Sequence, residues 1–148
     1  MGERVLLTLW VGGMWTVGYI AAPMLFKVLD DRQLAGMLAG HLFQGISVIG
    51  LLAGTLLLLL GMMAKAQRPW QRRWQTWVLL SMVLITALFQ FGLQPMLEDL
   101  KQRGLNDPSV AAQFGRLHGA SAVLYLINSL SGLALVCGGL SWRTRTEV

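Results

Sequence analysis

The chain has 148 residues, of which 55% are hydrophobic and only 13% charged, and its mean hydropathy is +0.57. A water-soluble domain carries about 25% charged residues, so a soluble globular fold is excluded. The net charge of +5 and the pI near 10.2 do not mark a nucleic-acid binder, because the basic residues lie between apolar runs rather than along a soluble face. A single cysteine, Cys137, excludes a disulfide framework within one chain. In its apolar surroundings it reads as a small buried hydrophobe. Gly2 does not open an N-myristoylation motif, which asks for Ser or Thr where Leu6 stands.

The first uncharged run is Val5–Phe26. Arg4, the apolar stretch and Tyr19-Ile20-Ala21-Ala22 have the layout of a secretory signal, but Trp10 and Trp15 interrupt it. The run reads as a first span ending Ala22-Pro23-Met24-Leu25. The second run, Gln33–Ala64, contains no Asp, Glu, Lys or Arg. Near its start it carries His41 and then Gln44-Gly45-Ile46-Ser47, followed by Gly50-x-x-x-Gly54. The third, Trp74–Leu97, ends Gln94-Pro95-Met96-Leu97. The fourth, Leu117–Trp142, opens His118-Gly119-Ala120-Ser121 and continues through Asn128-x-x-x-Gly132.

Each run can cross a hydrocarbon core, which takes about 20 apolar residues as a helix. Helices are the spanning form, since the runs lack the polar alternation of a membrane barrel. The expected fold is all-α, a single integral membrane domain over residues 1–148. Its four transmembrane helices lie at roughly 5–28, 38–64, 74–99 and 114–142. Short connections favour an antiparallel up-down-up-down bundle. Asp107-Pro108 supplies an N-cap followed by a proline at the first helical position, and Asp30 or Asp31 can cap the second helix. Gly40 and Gly115 are candidate bends. Gly50 and Gly54, and Asn128 with Gly132, offer small or polar seams for close helix approach.

The runs also repeat. The end of helix 1 matches the end of helix 3 through Pro23 and Pro95, and the openings of helices 2 and 4 match through Ser47 and Ser121. The chain therefore reads as two pseudo-repeated helical hairpins about an axis along the membrane normal. Lys and Arg set the orientation. Seven of them (Arg4, Lys65, Arg68, Arg72, Arg73, Arg143, Arg145) fall on one side and five (Lys27, Arg32, Lys101, Arg103, Arg116) on the other. Both termini and the Lys65–Arg73 loop are thus expected in the cytoplasm, in an inner (plasma) membrane. Trp70, Trp74, Trp77 and Trp142, with Trp10 close by, form an aromatic belt there.

The uncommon side chains gather at the opposite, extracytoplasmic end. His41, Gln44, Gln94, His118 and Ser121 are the candidate ligand-binding residues, and polar groups at membrane depth usually face the bundle interior. His41 and His118 with the thioethers of Met24 and Met96 would make a soft-metal site suited to Cu(I). The same histidines could instead ligate a haem between helices 2 and 4, or bond backbone and water at the mouth. Pro23 and Pro95 lack an N–H and should free the carbonyls of Tyr19 and Phe91, with Gln44 and His118 as their expected partners. No carboxylate lies inside an apolar run, so no catalytic acid/base pair is expected there. Ser47 and Ser121 have histidines nearby but no orienting acid.

Ala-Pro-Met-Leu-Phe closing helix 1, Gly-His-Leu-Phe opening helix 2, Gln-Pro near the end of helix 3 and Phe114-Gly-Arg-Leu-His-Gly-Ala-Ser121 together resemble the bacterial DUF4149 proteins over nearly the whole chain. These are similar to the eukaryotic transmembrane-protein-205 group, whose link to platinum drugs implies soft-metal handling. More distantly the layout is similar to copper-resistance D-type and protoporphyrinogen-oxidase-like bundles, though helix 1 here has no histidine. The readings in play are a binding or transport protein with an extracytoplasmic pocket, a non-catalytic accessory subunit of a membrane complex or a homo-oligomer, and a haem-binding redox protein.

Overall fold

The computed structural model describes residues 2–63 and 74–138. Among them it holds four helices long and apolar enough to cross a membrane: α1 (Gly2–Val28), α2 (Arg32–Met63), α3 (Trp74–Arg103) and α4 (Pro108–Gly138). No strand occurs among the described residues. Each helix packs on its chain neighbours and α1 closes the ring against α4, so the bundle runs up-down-up-down. The chain is a multi-pass membrane protein.

Two tight turns, 29–31 and 104–107, sit at one end, here the turn end. Asp31 caps α2: its Oδ1 accepts the backbone N–H of Gln33 at 2.8 Å and of Leu34 at 3.1 Å. Asp107 caps α4, accepting the Ser109 N–H and hydroxyl, both at 2.7 Å, with Pro108 first in the helix. α2 and α4 therefore start well ahead of 38 and 114, the starts expected from charge. α3 likewise runs past 99 to Arg103, carrying the ion pairs Lys101–Glu98 (3.3 Å) and Arg103–Asp99 (2.7 Å). Charges mark where a helix leaves the hydrocarbon, whereas caps mark where it stops. Gly104, at φ +94°, provides the left-handed residue that ends α3. The expected helix ends at 64 and 142, the Lys65–Arg73 loop, Trp70, Trp142, Arg143 and Arg145 lie outside the described residues.

Small residues line the helix contacts and let a few large side chains pack between them, while many large apolar residues face outward. Ala35, Ala39, Gly50, Ala53, Gly54 and Gly132 are buried, while Leu9, Leu52, Leu84, Phe91 and Val123 are exposed. Lipid tails are as apolar as leucine, so helices associate through close van der Waals fit. Trp10 shows how the seam works. It is only 1% exposed, and its indole lies over both Gly50 and Gly54: an added Cβ at Gly50 would overlap the ring, and one at Gly54 would crowd it at 3.1 Å while overlapping Val83. Trp10 thus belongs to the core, not to an aromatic belt. Trp74 and Trp77 do face outward. Gly132 takes Val11 and Met82 in the same manner, its would-be Cβ falling 2.7 Å and 3.0 Å from them. Cys137 is exposed rather than buried, because it lies on the outward face of α4.

The hairpin repeat extends into the core. Leu7, Trp10 and Met14 on α1 and Leu79, Met82 and Thr86 on α3 are all buried, displaced by the offset that separates Pro23 from Pro95. Ser47 and Ser121 are both buried and both donate to the carbonyl four residues earlier at 2.8 Å.

Interruptions of the helices occur at the prolines, not at Gly40 or Gly115, which lie in unbroken α-helix. Just before each proline the chain widens into a π-helical turn, Thr16–Ala21 in α1 and Phe89–Leu93 in α3. There the Ala22 N–H reaches the Val17 carbonyl and the Gln94 N–H reaches that of Phe89, both five residues back. A proline ring clashes with the carbonyl four residues earlier and offers it no N–H; inserting one residue into the turn relieves the clash.

Candidate functional site

The bundle is layered along its axis. The half away from the turn end is apolar, built on Leu7, Trp10, Val11, Leu57, Leu79, Met82 and Leu135. Near mid-length of the helices the interior turns polar. Asn128 of α4, 4% exposed, donates through Nδ2 to Thr86 Oγ1 of α3 at 3.0 Å. Thr86 in turn donates its hydroxyl to the Met82 carbonyl at 2.8 Å. That second bond settles which way the amide points: with its proton committed, Thr86 can only accept, so the nitrogen of Asn128 faces it. Oδ1 is left buried with no partner among the described residues. Gln90 Oε1, a turn along α3 toward the turn end, is in the same state.

An unmet buried acceptor costs about 1–3 kcal/mol, and each one in a native structure calls for an explanation. Thr86, Gln90 and Gln94 follow one another four residues apart, on one side of α3. Gln94 completes the line at the turn end, donating through Nε2 to the Gly40 carbonyl of α2 at 3.5 Å. A ladder of uncharged polar groups thus descends from the turn end to the centre.

A cavity of about 20 Å³ opens at the foot of the ladder, walled by all four helices, with Met14, Ser47, Thr86, Phe89, Tyr125 and Asn128 among its lining. Tyr125 leans on Gly18 and donates to the Met14 carbonyl at 2.6 Å. Ser129, next to Asn128, is tied to α1 twice: its carbonyl accepts from Trp15 Nε1 at 3.4 Å, and its hydroxyl pairs with the Tyr19 hydroxyl at 2.7 Å. These bonds clasp α4 to α1 around the π-helical turn of α1. Phe43 closes the layer edge-on to Phe89 and Tyr125.

The residues singled out from the sequence lie mostly above this layer. His41 is exposed, its Nδ1 2.9 Å from the Met37 carbonyl of its own helix. His118 is exposed and stacks on Phe114, one turn back, at 5.7 Å and 8° between planes. Gln44 is exposed and Gln94 half-buried. Pro23 and Pro95 are exposed, with Met24 and Met96 beside them at 59% and 53% exposure. Among the described residues no hydrogen bond or ring contact joins the histidines to each other. Neither Gln44 nor His118 is hydrogen-bonded to the Tyr19 or Phe91 carbonyl, because the π-helical turns re-register the backbone locally. No group of three or more His, Cys, Asp or Glu able to hold a metal occurs among the described residues. Sequence reasoning placed Gln90 among the polar side chains of this half but passed over Thr86 and Ser129. Their signal was available: uncharged polar residues at helical spacing deep in an apolar run.

Outside the segments that span the bilayer, the cap at Asp107 is electrostatically distinct. The Ser109 hydroxyl, then its backbone N–H, hold the carboxyl below its ordinary value.

A family model described as a domain of unknown function, DUF4149, matches residues 5–106. That match covers α1 to α3 and stops before the Phe114–Ser121 motif. No curated protein and no solved structure matches the chain.

Proposed function

The chain belongs to the DUF4149 family, and from that premise we propose that it binds or transports a small molecule or a soft metal ion, taken up at the extracytoplasmic end of the bundle. The observation that supports this reading is the polar ladder of α3, with Gln94 at the turn end, Gln90 with an unmet acceptor and Thr86 at the centre. A purely structural bundle gains nothing from unmet amide oxygens at membrane depth. In this reading His41, Gln44, Gln94, His118 and Ser121 form the entry layer. For a soft metal such as Cu(I), His41 and His118 supply nitrogen and Met24 and Met96 thioether sulfur. All four residues are exposed, and the resemblance to the transmembrane-protein-205 group adds to this form. The turn end is extracytoplasmic in this reading, with both termini in the cytoplasm and the protein in the inner membrane, on the Lys/Arg asymmetry of the sequence.

The test is metal content by mass spectrometry on protein purified gently from its own membrane, for wild type, His118→Gln and His118→Leu. A ligand role predicts that both variants stay folded and lose metal. Stoichiometric metal in neither wild type nor variants removes the soft-metal form and leaves the small-molecule one. That form is then tested by whether His118→Leu weakens retention of a small molecule co-purifying with wild type. Cysteine labelling at positions 71 and 104 in intact cells checks the orientation: labelling at 104 alone agrees with it.

A further inference from the structure

We infer that the mid-bundle cavity is a binding site for a single hydrogen-bond donor of water size, held on Asn128 Oδ1. The inference is separate from any ligand at the mouth. It rests on size, on the state of each polar atom in the wall, and on depth.

The cavity measures about 20 Å³. A void needs about 10–15 Å³ to hold one water, so this one has the size for a single water. A void of this size stays empty when its lining is apolar and fills when it is polar. This lining is largely apolar but carries the hydroxyls of Ser47, Thr86 and Tyr125 and the amide of Asn128, enough partners to hold one water.

The hydroxyl protons are already assigned. Ser47 donates to the Phe43 carbonyl, Thr86 to that of Met82 and Tyr125 to that of Met14. Asn128 donates one of its two amide protons to Thr86. The Trp10 indole nitrogen, also in the wall, is turned onto Gly50. The strongest open valence is therefore an acceptor, Asn128 Oδ1, which is buried and unpartnered; the hydroxyls have only lone pairs left to offer. Oδ1 receives a small donor, either neutral water or an ammonium ion. The residue carrying the acceptor is 4% exposed, so lipid and bulk water do not satisfy it.

The experiment uses the full chain in lipid nanodiscs. An experimental map that shows ordered waters should contain one isolated peak within hydrogen-bond distance of Asn128 Oδ1, absent from Asn128→Leu. Should that variant not fold, the wild-type protein suffices: magnetisation transfer from water to the Asn128 side-chain amide protons gives the same answer. Thermal unfolding in ammonium chloride against sodium chloride separates the two occupants. A rise in midpoint specific to ammonium and lost in Asn128→Leu identifies the ion; a peak without that rise identifies water. An empty cavity with no water-to-amide transfer and no ammonium effect overturns the inference, as does an amide oxygen bonded to a protein donor.

Discussion

The notch under Trp10 gives the most demanding test of the packing. The indole lies across Gly50 and Gly54 and is 1% exposed, so the ring is hemmed in by the bundle and can shift only slightly, toward the small cavity it lines. A methyl group added by Gly50→Ala would overlap the pyrrole side of that ring. Overpacking of this kind costs about 1–3 kcal/mol. Elsewhere in a helix the same change helps by about 1 kcal/mol, because alanine loses less backbone entropy than glycine. The sign therefore depends on Trp10. Trp10→Ala by itself should cost about 3–5 kcal/mol through lost contacts, but in that background Gly50→Ala should become neutral or favourable. The two effects are coupled by roughly 1–4 kcal/mol, the difference between a net cost of about 1–3 and a gain of up to about 1. Thermal unfolding of the four proteins of the cycle in one detergent, followed by circular dichroism, reads this directly. For a chain of this size each kcal/mol moves the midpoint by about 2–4 °C. If Gly50→Ala lowers the midpoint equally with and without Trp10, the ring does not occupy the notch and the account of this seam is wrong.

Tyr125→Phe removes the bond to the Met14 carbonyl while keeping the ring against Gly18; the expected loss is about 0.5–1.5 kcal/mol, with faster amide exchange in the π-helical turn of α1, and unchanged exchange there would mean that the clasp is not what holds it. At Asp107 the folded carboxyl titrates below its ordinary value of 3.8, so the cap contributes fully above that pH and is lost as pH falls through the lower folded value. Exchange at Ser109, Val110 and Ala111 should accelerate in that window in wild type, whereas Asp107→Asn, which still caps, should show no such pH dependence.

How much of this was legible beforehand follows from what each signal encodes. Four charge-free runs are enough to count the spans, since the bilayer core sets the length. Asp31 and Asp107 mark true helix starts because capping is local chemistry. Pro23 and Pro95 announce a break at one height in two helices because a missing N–H is a local fact, although the π-helical form of the break depended on how the backbone could relax. Beyond the small and polar seams at Gly50, Gly54, Asn128 and Gly132, the inward faces of the helices were not legible. In a soluble protein hydropathy separates inside from outside, but here lipid and interior are equally apolar and only fit distinguishes them. Trp10 therefore read as a belt residue until Gly50 and Gly54 were seen beneath it. Thr86 and Asn128, or Tyr19 and Ser129, sit on different helices far apart in the chain, and nothing in either helix alone announces the other. Composition dictated that this protein lies in a membrane; only the meeting of four helices decided which few polar groups it keeps from the lipid.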